Sequence, residues 1–279
     1  MESFRSLQSQ DTPVQSVELP SCILRFLYAR AGDSQACSSQ GQDYLAWRYT
    51  QGVLGFVVCD GVGGSFCGHV AAAYLGEQLL RFMFEVGPTW EVAADTLALS
   101  EQASCYLNSW RADGHRLVEE IVLPPDLPAL QMQALEQLRQ NHGSETMFVA
   151  GRLNFKAMGT LITMVWMGDV QVRLFDRKGR QLPIGATWRT ADRWSTRHGV
   201  NKRGAQVHTW RGNGAELGIE RLIAFSDGFS AVADRLYALN DDQVQQLAIE
   251  QVMSPTSDDI SFLDVRLKLQ DREGPDTHL

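Results

Sequence analysis

The sequence predicts an α+β fold in which strands lie before and after a block of helices along the chain. The strand candidates are short apolar runs, rich in β-branched residues and bounded by turn formers. Three helix candidates follow one another between residues 69 and 141, and a fourth precedes the last strand. No repeat or long linker interrupts residues 19–270, so we expect one domain there, after a flexible leader at 1–18 and before a charged tail at 271–279.

Each predicted element rests on a local signal. Helix 69–84 is rich in Ala, Leu and aromatic residues, and helix 129–141 follows the break "LPPDLP" and ends before Gly143. The segment "DSQACSSQGQ" is polar and predicts a loop between the first two strands. The predicted strands are residues 23–30, 43–48, 52–59, 146–154, 160–167, 170–175, 206–211, 222–225 and 260–269, and the other predicted helices are residues 90–110 and 240–252.

Composition argues against several functional classes. The net charge is −8 and no cluster of Lys and Arg is present, which argues against binding to a nucleic-acid backbone. The five cysteines are odd in number and lack CxxC spacing, which favours a reducing compartment. No signal-peptide core and no apolar run of membrane-spanning length is found in the sequence. We therefore expect a cytoplasmic monomer that binds neither nucleic acid nor membrane.

Two strand candidates end in the same way. The segments "FVVCDG" and "IAFSDG" are apolar runs that place Asp60 and Asp227 at the end of a strand, each followed by glycine. Asp-Gly at a strand end is common turn chemistry, so either segment alone is weak evidence of a site. Glycines at 61, 63 and 64 also allow a sharp turn and a close approach of the backbone to a ligand.

Further carboxylates are predicted at the same strand ends. If the turn "YTQG" joins Arg48 to Val53, paired positions sum to 101, and Asp43 lies opposite Val58, a diagonal neighbour of Asp60. Asp258 and Asp259 open the last strand. If that strand is antiparallel to the one ending at Asp227, these carboxylates also share an end of the sheet.

Several carboxylates at one place repel one another unless a cation neutralises them. Oxygen ligands favour Mg²⁺, Mn²⁺ or Ca²⁺ over zinc or copper, and magnesium-like ions keep several waters and use few carboxylates. Two such ions can activate a water and hold a phosphoryl oxygen. The pattern therefore predicts metal-assisted phosphate hydrolysis.

The ordered motifs "QDY…VVCDGVGG…GD…IAFSDG…SDDIS" resemble those of the metal-dependent protein phosphatases of type 2C, the PPM family, in their bacterial form. The matching positions are Gln42-Asp43, residues 60–64, Gly168-Asp169, residues 226–228 and residues 258–261. The ordered set covers most of the chain and is much more specific than any one member. The resemblance implies a four-layer α/β/β/α sandwich of two antiparallel sheets flanked by helices.

The resemblance also implies site residues. Asp60 would bridge two Mn²⁺ or Mg²⁺ ions, and the Gly61 carbonyl would bind one of them. Asp227 and Asp258 would bind one ion, Asp43 would order the water shell, and Asp169 with Asp227 would form a weaker third site. Asp43 and Asp60 would be the catalytic residues.

The sequence departs from the family pattern at several positions. Gly168-Asp169 is followed by Val170-Gln171 rather than Ser-Arg, and the phosphate-binding Arg of eukaryotic members is Ser38. The His that follows Asp-Gly in those members is Val62. The family's Gly-Thr/Ser-Thr strand start matches either "GSETM" at Gly143 or "MGTLI" at Met158.

Other interpretations remain open for single residues. Gly168-Asp169 also fits a two-residue hairpin turn in which Gly168 supplies the positive φ. The segment holding Trp188, Trp194 and Trp210 fits either a flap over the site or an ordinary loop. Cys59 should point away from Asp60 on an alternating strand, so we interpret it as a core residue rather than a nucleophile.

The function implied by the resemblance is hydrolysis of phosphoserine or phosphothreonine on proteins, opposing a Ser/Thr kinase. A hydroxide bridging two metal ions would attack phosphorus directly. One alternative is a catalytically weak domain of this type that acts as a regulatory or binding module. Another is a metal-dependent phosphodiesterase. Metal-dependent turnover of a generic phosphoester separates the phosphatase from the regulatory module.

Overall fold

Two antiparallel sheets stack face to face in the computed structural model of the chain, and helices cover their outer faces. The structure describes residues 1–36, 40–91, 95–157, 159–212, 218–254 and 256–268. This arrangement confirms the predicted four-layer sandwich. Among these residues, no helix has the length and apolar character that crossing a bilayer requires. The charged tail predicted at 271–279 lies outside the described residues.

The elements of the first half are β1 (Glu2–Arg5), β2 (Thr12–Glu18), β3 (Cys22–Ala29), α1 (Gly32–Ala36), β4 (Tyr44–Thr50), β5 (Val53–Gly61), α2 (Gly68–Glu85), α3 (Gly87–Trp90), α4 (Thr96–Ser109), α5 (Arg111–Glu119) and α6 (Ala129–Asn141). Those of the second half are β6 (Glu145–Ala157), β7 (Gly159–Met167), β8 (Gln171–Phe175), β9 (Gln181–Leu182), β10 (Trp194–Ser195), β11 (Gln206–Gly212), β12 (Arg221–Phe225), two 3₁₀ helices (Asp227–Val232 and Leu236–Ala238), α7 (Asp241–Val252) and β13 (Ile260–Leu267).

The two sheets differ in strand order. The first runs β1-β4-β5-β6-β7-β11, with β10 also paired to β6, and the second runs β2-β3-β13-β12-β8-β9. Helices α2 and α4 contact the first sheet, and α7 contacts the second. The chain therefore passes from one sheet to the other several times, which brings distant parts of the sequence to a common end of the sandwich.

Alternation along the strands divides the core into three layers. In β5, Leu54, Phe56 and Val58 pack between the sheets, whereas Val57 and Cys59 pack against the helices of the first sheet. The same alternation holds in β4, β12 and β13. A residue that continues an inward series at the end of a strand therefore points into the gap between the two sheets.

The flexible leader predicted at residues 1–18 is wrong. Strand β1 pairs with β4, and β2 pairs with β3, so these residues form an edge strand on each sheet. The ring of Phe4 packs 4.5 Å, centroid to centroid, from that of Phe26 in the inter-sheet core. An edge strand with one solvated face needs few apolar residues, which is why its polar composition resembled a leader.

The predicted register of the β4–β5 hairpin is also wrong. Thr50 pairs with Val53 and Tyr44 with Cys59, so paired positions sum to 103 rather than 101. The loop is the two-residue turn Gln51-Gly52, with φ of 49° and 74°. Positive φ at both positions is typical of the type I′ turn, whose twist suits a hairpin.

Two local predictions need correction around the helices. The helix predicted over residues 90–110 is divided, since α3 ends at Trp90 and α4 begins at Thr96. The side chain of Asp95 caps α4 by accepting from the N–H of Leu97 at 2.9 Å and of Ala98 at 3.2 Å. The start of the predicted loop after β3 is the short helix α1.

Candidate active site

The β4–β5 hairpin brings two of the predicted carboxylates face to face. Asp60 lies in β5, and Asp43 immediately precedes the pair formed by Tyr44 and Cys59. The corrected register therefore places Asp43 opposite Asp60, closer than the diagonal we expected. Both residues continue the inward series of their strands, and they are only 1% and 5% exposed.

The second sheet supplies further carboxylates at the same end. Strands β12 and β13 are antiparallel, with Phe225 opposite Phe262, so Asp227 after one strand and Asp258 before the other share an end. This confirms the conditional expectation from the sequence. Asp227 is half-buried and Asp258 is exposed.

The carboxylates interact strongly. Burial raises the pKa of Asp43 well above its ordinary value, and the charges of Asp60 and Asp259 raise it further. The pKa of Asp60 is raised well above its ordinary value by burial first and then by Asp227, Asp258 and Asp169. Burial, followed by Asp258 and Asp169, raises the pKa of Asp227 to about 7. The metal-ligand candidates therefore lie close enough to share one electrostatic environment.

Four of these groups have an oxygen that lacks a hydrogen-bond partner. The buried oxygens Asp43 Oδ2, Asp60 Oδ2, Asp169 Oδ1 and Asp227 Oδ1 have no partner among the described residues. Leaving such an atom without a partner costs free energy, and a cation is a natural partner for several of them at once. The donor set is all oxygen, which fits Mg²⁺ or Mn²⁺.

The carboxylates do not form a closed cage for an ion. Within the part of the chain that the structure describes, no group of three or more His, Cys, Asp and Glu side chains is placed to hold a metal by itself. Magnesium-like ions keep several waters and use one or two carboxylates each. An ion held here would therefore keep several of its waters.

The glycines after Asp60 permit close packing of the backbone. A Cβ on Gly61 would lie 2.4 Å from the carbonyl oxygen of Gln42 and 2.7 Å from the carbonyl carbon of Gly68, at the start of α2. A Cβ on Gly64 would meet nothing within 4 Å, so this part of the loop borders open space. The glycine at 61 is therefore required by packing, whereas position 64 has space for a side chain.

Comparison with known proteins shows which fold this is. The sequence matches no family model and no curated protein. Among solved structures, serine-threonine phosphatase 2C from Toxoplasma gondii has 12% identity and a TM-score of 0.54, covering 93% of this chain and 99% of that one. Phosphatase Stp1 from Staphylococcus aureus has 19% identity and a TM-score of 0.54, covering 90% and 96%. RsbX in complex with magnesium has 14% identity and a TM-score of 0.52, covering 91% and 100%.

The chain has the type 2C protein phosphatase fold. Within this fold, the strand start left open by the sequence is "GSETM" rather than "MGTLI". Thr146 lies opposite Gly61, and its hydroxyl donates to the carbonyl oxygen of Asp60 at 2.7 Å. Gly159 follows the opposite end of β6, whereas Met158 and the Ser38 position lie outside the described residues.

In this type 2C fold, Gly168-Asp169 is not a hairpin turn. It joins β7 of the first sheet to β8 of the second, so the hairpin interpretation is wrong. Gly168 has φ of 106°, and a Cβ there would lie 2.4 Å from the Cβ of Met147, the partner of Asp60. The crossing between sheets thus carries Asp169 to the carboxylates of both.

Two further residues hold the backbone around Asp43: Asp259, which the sequence analysis placed at this end of the sheet, and Gln8, which it missed. Asp259 is buried, and its carboxylate accepts from the N–H of Ala31 at 2.6 Å and from the N–H groups of Gln42 and Asp43. The side-chain amide of Gln8 donates to the carbonyl oxygens of Asp43 at 3.1 Å and of His69 at 3.0 Å. No sequence signal identifies Gln8, because a polar residue in a polar segment is ordinary.

The tryptophan-rich segment packs against the rest of the domain through two of its tryptophans. Trp194 is fully buried, and its Nε1 donates to the carbonyl oxygen of Leu107 at 2.9 Å. Trp188 packs against Trp166 with ring centroids 5.7 Å apart. As predicted, Cys59 is a core residue that faces the helices, and burial raises the pKa of its thiol well above the ordinary value.

Asp169→Asn tests whether this carboxylate binds an ion. We expect kcat to fall about tenfold, because changing a group in the outer shell of a metal site typically costs at least this much. The melting temperature in EDTA should stay at or above the wild-type value, because Asn keeps the shape of Asp and removes a charge that raises the pKa of Asp60 and Asp227. The measurement is kcat against Mn²⁺ concentration. A wild-type curve with a wild-type melting temperature would remove Asp169 from the metal centre.

Proposed function

We propose that the protein is a phosphatase that requires divalent cations and hydrolyses phosphoserine and phosphothreonine on other proteins. One observation carries the proposal. Four carboxylates from separate parts of the sequence converge, each with a buried oxygen that lacks a hydrogen-bond partner among the described residues. The type 2C fold supports the same reaction class.

Asp60 and the Gly61 carbonyl would hold two Mn²⁺ or Mg²⁺ ions, with Asp227 and Asp258 on one of them. Asp43 would position water, and Asp169 with Asp227 would hold a third ion. When bound, such ions lower the pKa of a coordinated water and neutralise charge on a phosphoryl oxygen. RsbX, which shares the fold, crystallised in complex with magnesium, and this supports the choice of cation.

The chain's own residues would provide position rather than covalent chemistry. Thr146 fixes the backbone of Asp60, while Gln8 and Asp259 fix the backbone around Asp43. Cys59 faces the helices and its thiol pKa is raised, so it cannot serve as a thiolate nucleophile. With Cys59 set aside, we propose direct attack of water on phosphorus, with no phosphoenzyme.

Charge and fold support the proposed substrate class. A net charge of −8 disfavours nucleic acid, and Stp1 and the Toxoplasma protein are serine/threonine phosphatases. The four cysteines in the described residues are free thiols, which supports a reducing compartment such as the cytoplasm. We propose a cytoplasmic monomer that opposes a Ser/Thr kinase.

Chelation is the first test of the proposal. With a phosphoserine peptide or p-nitrophenyl phosphate, we expect turnover with millimolar-range Mn²⁺ or Mg²⁺ and none in excess EDTA, because hydrated sites with few carboxylates bind these ions loosely. Restoring the cation after EDTA should restore the rate. Full activity in excess EDTA would overturn the mechanism.

Two assays distinguish the proposed function from its alternatives. Metal binding without hydrolysis of any phosphoester would indicate a regulatory or binding module. Hydrolysis of bis(p-nitrophenyl) phosphate in preference to the monoester would indicate a phosphodiesterase. Asp126→Ala is the matched control for every carboxylate variant, because Asp126 is exposed between α5 and α6 and should leave turnover unchanged.

A further inference from the structure

Arg193 lies beside the carboxylate centre without being part of it. Its Nη1 donates to Glu145 Oε2 at 3.1 Å, and the side chain is 38% exposed. Glu145 is buried, and its carbonyl oxygen accepts from the N–H of Val62 at 3.0 Å. The Arg193–Glu145 pair therefore borders the glycine loop that follows Asp60.

Strand pairing places Arg193 level with Asp60. Trp194 pairs with Thr146, so Arg193 comes level with Met147, which pairs with Asp60. Strands in a sheet are spaced by roughly 4.8 Å, so the backbones of Arg193 and Asp60 are about 10 Å apart. Glu145 lies on the same inward face of β6 as Met147. The guanidinium thus borders the gap into which Asp60 points.

The position of Arg193 is well fixed. The following residue, Trp194, is fully buried, and the N–H of Arg189 donates to the carbonyl oxygen of Gly168 at 2.9 Å. The carbonyl oxygen of Asp192 lies within 3.0 Å of where a Gly168 Cβ would be. Arg193 is therefore held between the glycine loop on one side and Gly168-Asp169 on the other.

Most of the hydrogen-bonding capacity of Arg193 is unused. Glu145 accepts from Nη1, and the other guanidinium N–H groups have no partner among the described residues. By contrast, the buried side chains of Arg25 and Arg221 both form salt bridges with Asp264. The side chain of Arg152 forms one with Glu91. Arg193 is thus a fixed cation with free donors beside an acidic centre.

We propose that Arg193 binds the phosphoryl oxygens of the substrate and that Glu145 holds it in position. This inference rests on the proposed phosphatase function. A phosphate dianion beside several carboxylates is bound more tightly where an N–H donor that carries positive charge faces its outer oxygens. A guanidinium matches two phosphate oxygens with parallel hydrogen bonds, which a lysine ammonium cannot do.

The test uses full-length protein loaded with Mn²⁺. We expect Arg193→Gln to raise KM for a phosphoserine peptide and the inhibition constant of inorganic phosphate about tenfold, the usual loss for a hydrogen bond to a charged group. The value of kcat at saturation and the Mn²⁺ dependence should stay at wild-type levels. Arg193→Lys should recover only part of the loss, and Glu145→Gln should shift KM in the same direction.

Arg197→Gln is the matched control, because Arg197 is exposed on the same segment and should leave KM unchanged. Wild-type KM and phosphate inhibition in Arg193→Gln would overturn the inference. So would a lowered melting temperature without a change in KM, which would make the Glu145 pair a structural salt bridge only. If the wild-type protein shows no turnover, the proposed function fails, and calorimetry of phosphate binding to the Mn²⁺-loaded protein then decides the role of Arg193.

Discussion

Asp60→Ala should abolish turnover while the fold persists. Asp60 is the carboxylate that would contact both ions, and metal-ion stabilisation of a phosphoryl transition state amounts to several kcal/mol, or about a thousandfold or more in rate. The side chain is 5% exposed and its pKa is raised by burial and by neighbouring carboxylates, so its removal relieves repulsion. In EDTA the variant should melt at or above the wild-type temperature. The measurements are kcat at saturating Mn²⁺ and thermal melting in EDTA.

Asp227→Ala should behave in the same way, because Asp227 has a buried oxygen without a partner among the described residues. The exposed Asp126 provides the control, since Asp126→Ala changes charge by the same amount away from the centre. A variant at position 60 or 227 that keeps the wild-type kcat would show that the residue takes no part in catalysis.

The metal-free protein should lose stability as pH rises from about 5 to about 8. The raised pKa values of Asp43, Asp60 and Asp227 mean that the folded state favours the protonated carboxyls. These groups stabilise the fold fully below about pH 4, the ordinary pKa of Asp in the unfolded chain. This stabilisation is lost as pH rises through the pKa in the folded state, which is about 7 for Asp227. The measurement is melting temperature against pH in EDTA, repeated in Mn²⁺.

Mn²⁺ should raise the melting temperature most at the upper end of this range, because it compensates the ionised carboxylates. Asp241, whose pKa is lowered by hydrogen bonds from Ser16 and Arg25 against the effect of burial, acts in the opposite direction at lower pH. The measurement therefore starts near pH 5, above the range where that group is protonated. A wild-type pH profile in Asp60→Ala would contradict the assignment of this effect to the carboxylate centre.

The carboxylates were predictable because their signals are local. Asp60 and Asp227 each follow an apolar run and precede a glycine, and a buried strand that ends in Asp-Gly is visible within six residues. Their order along the chain with Asp43 and Asp258 predicted the fold of the chain as well as the candidate site residues. The helix at residues 129–141 was also predicted with its observed bounds, since a proline break and a glycine mark both ends.

Other features were not predictable because they depend on partners distant in sequence. The N-terminal residues are strands only because β4 and β3 offer free edges to them. Gly168-Asp169 looked like a hairpin because the chain's crossing between sheets has no local signature. The predicted turn also included Tyr49 and Thr50, which are the last two residues of β4, and this moved the register by two.

By itself, the sequence determined the α+β class, most strands and helices, and the acidic residues that we assign to the active site. These depend on apolar periodicity, turn residues and motif order, all of which act between near neighbours. Only the tertiary structure decided that Asp43 faces Asp60, that Asp169 crosses between sheets to join them, and that Gln8, Asp259 and Arg193 lie around them. Such contacts depend on strand register and on the stacking of two sheets, and these are set by packing over the whole chain.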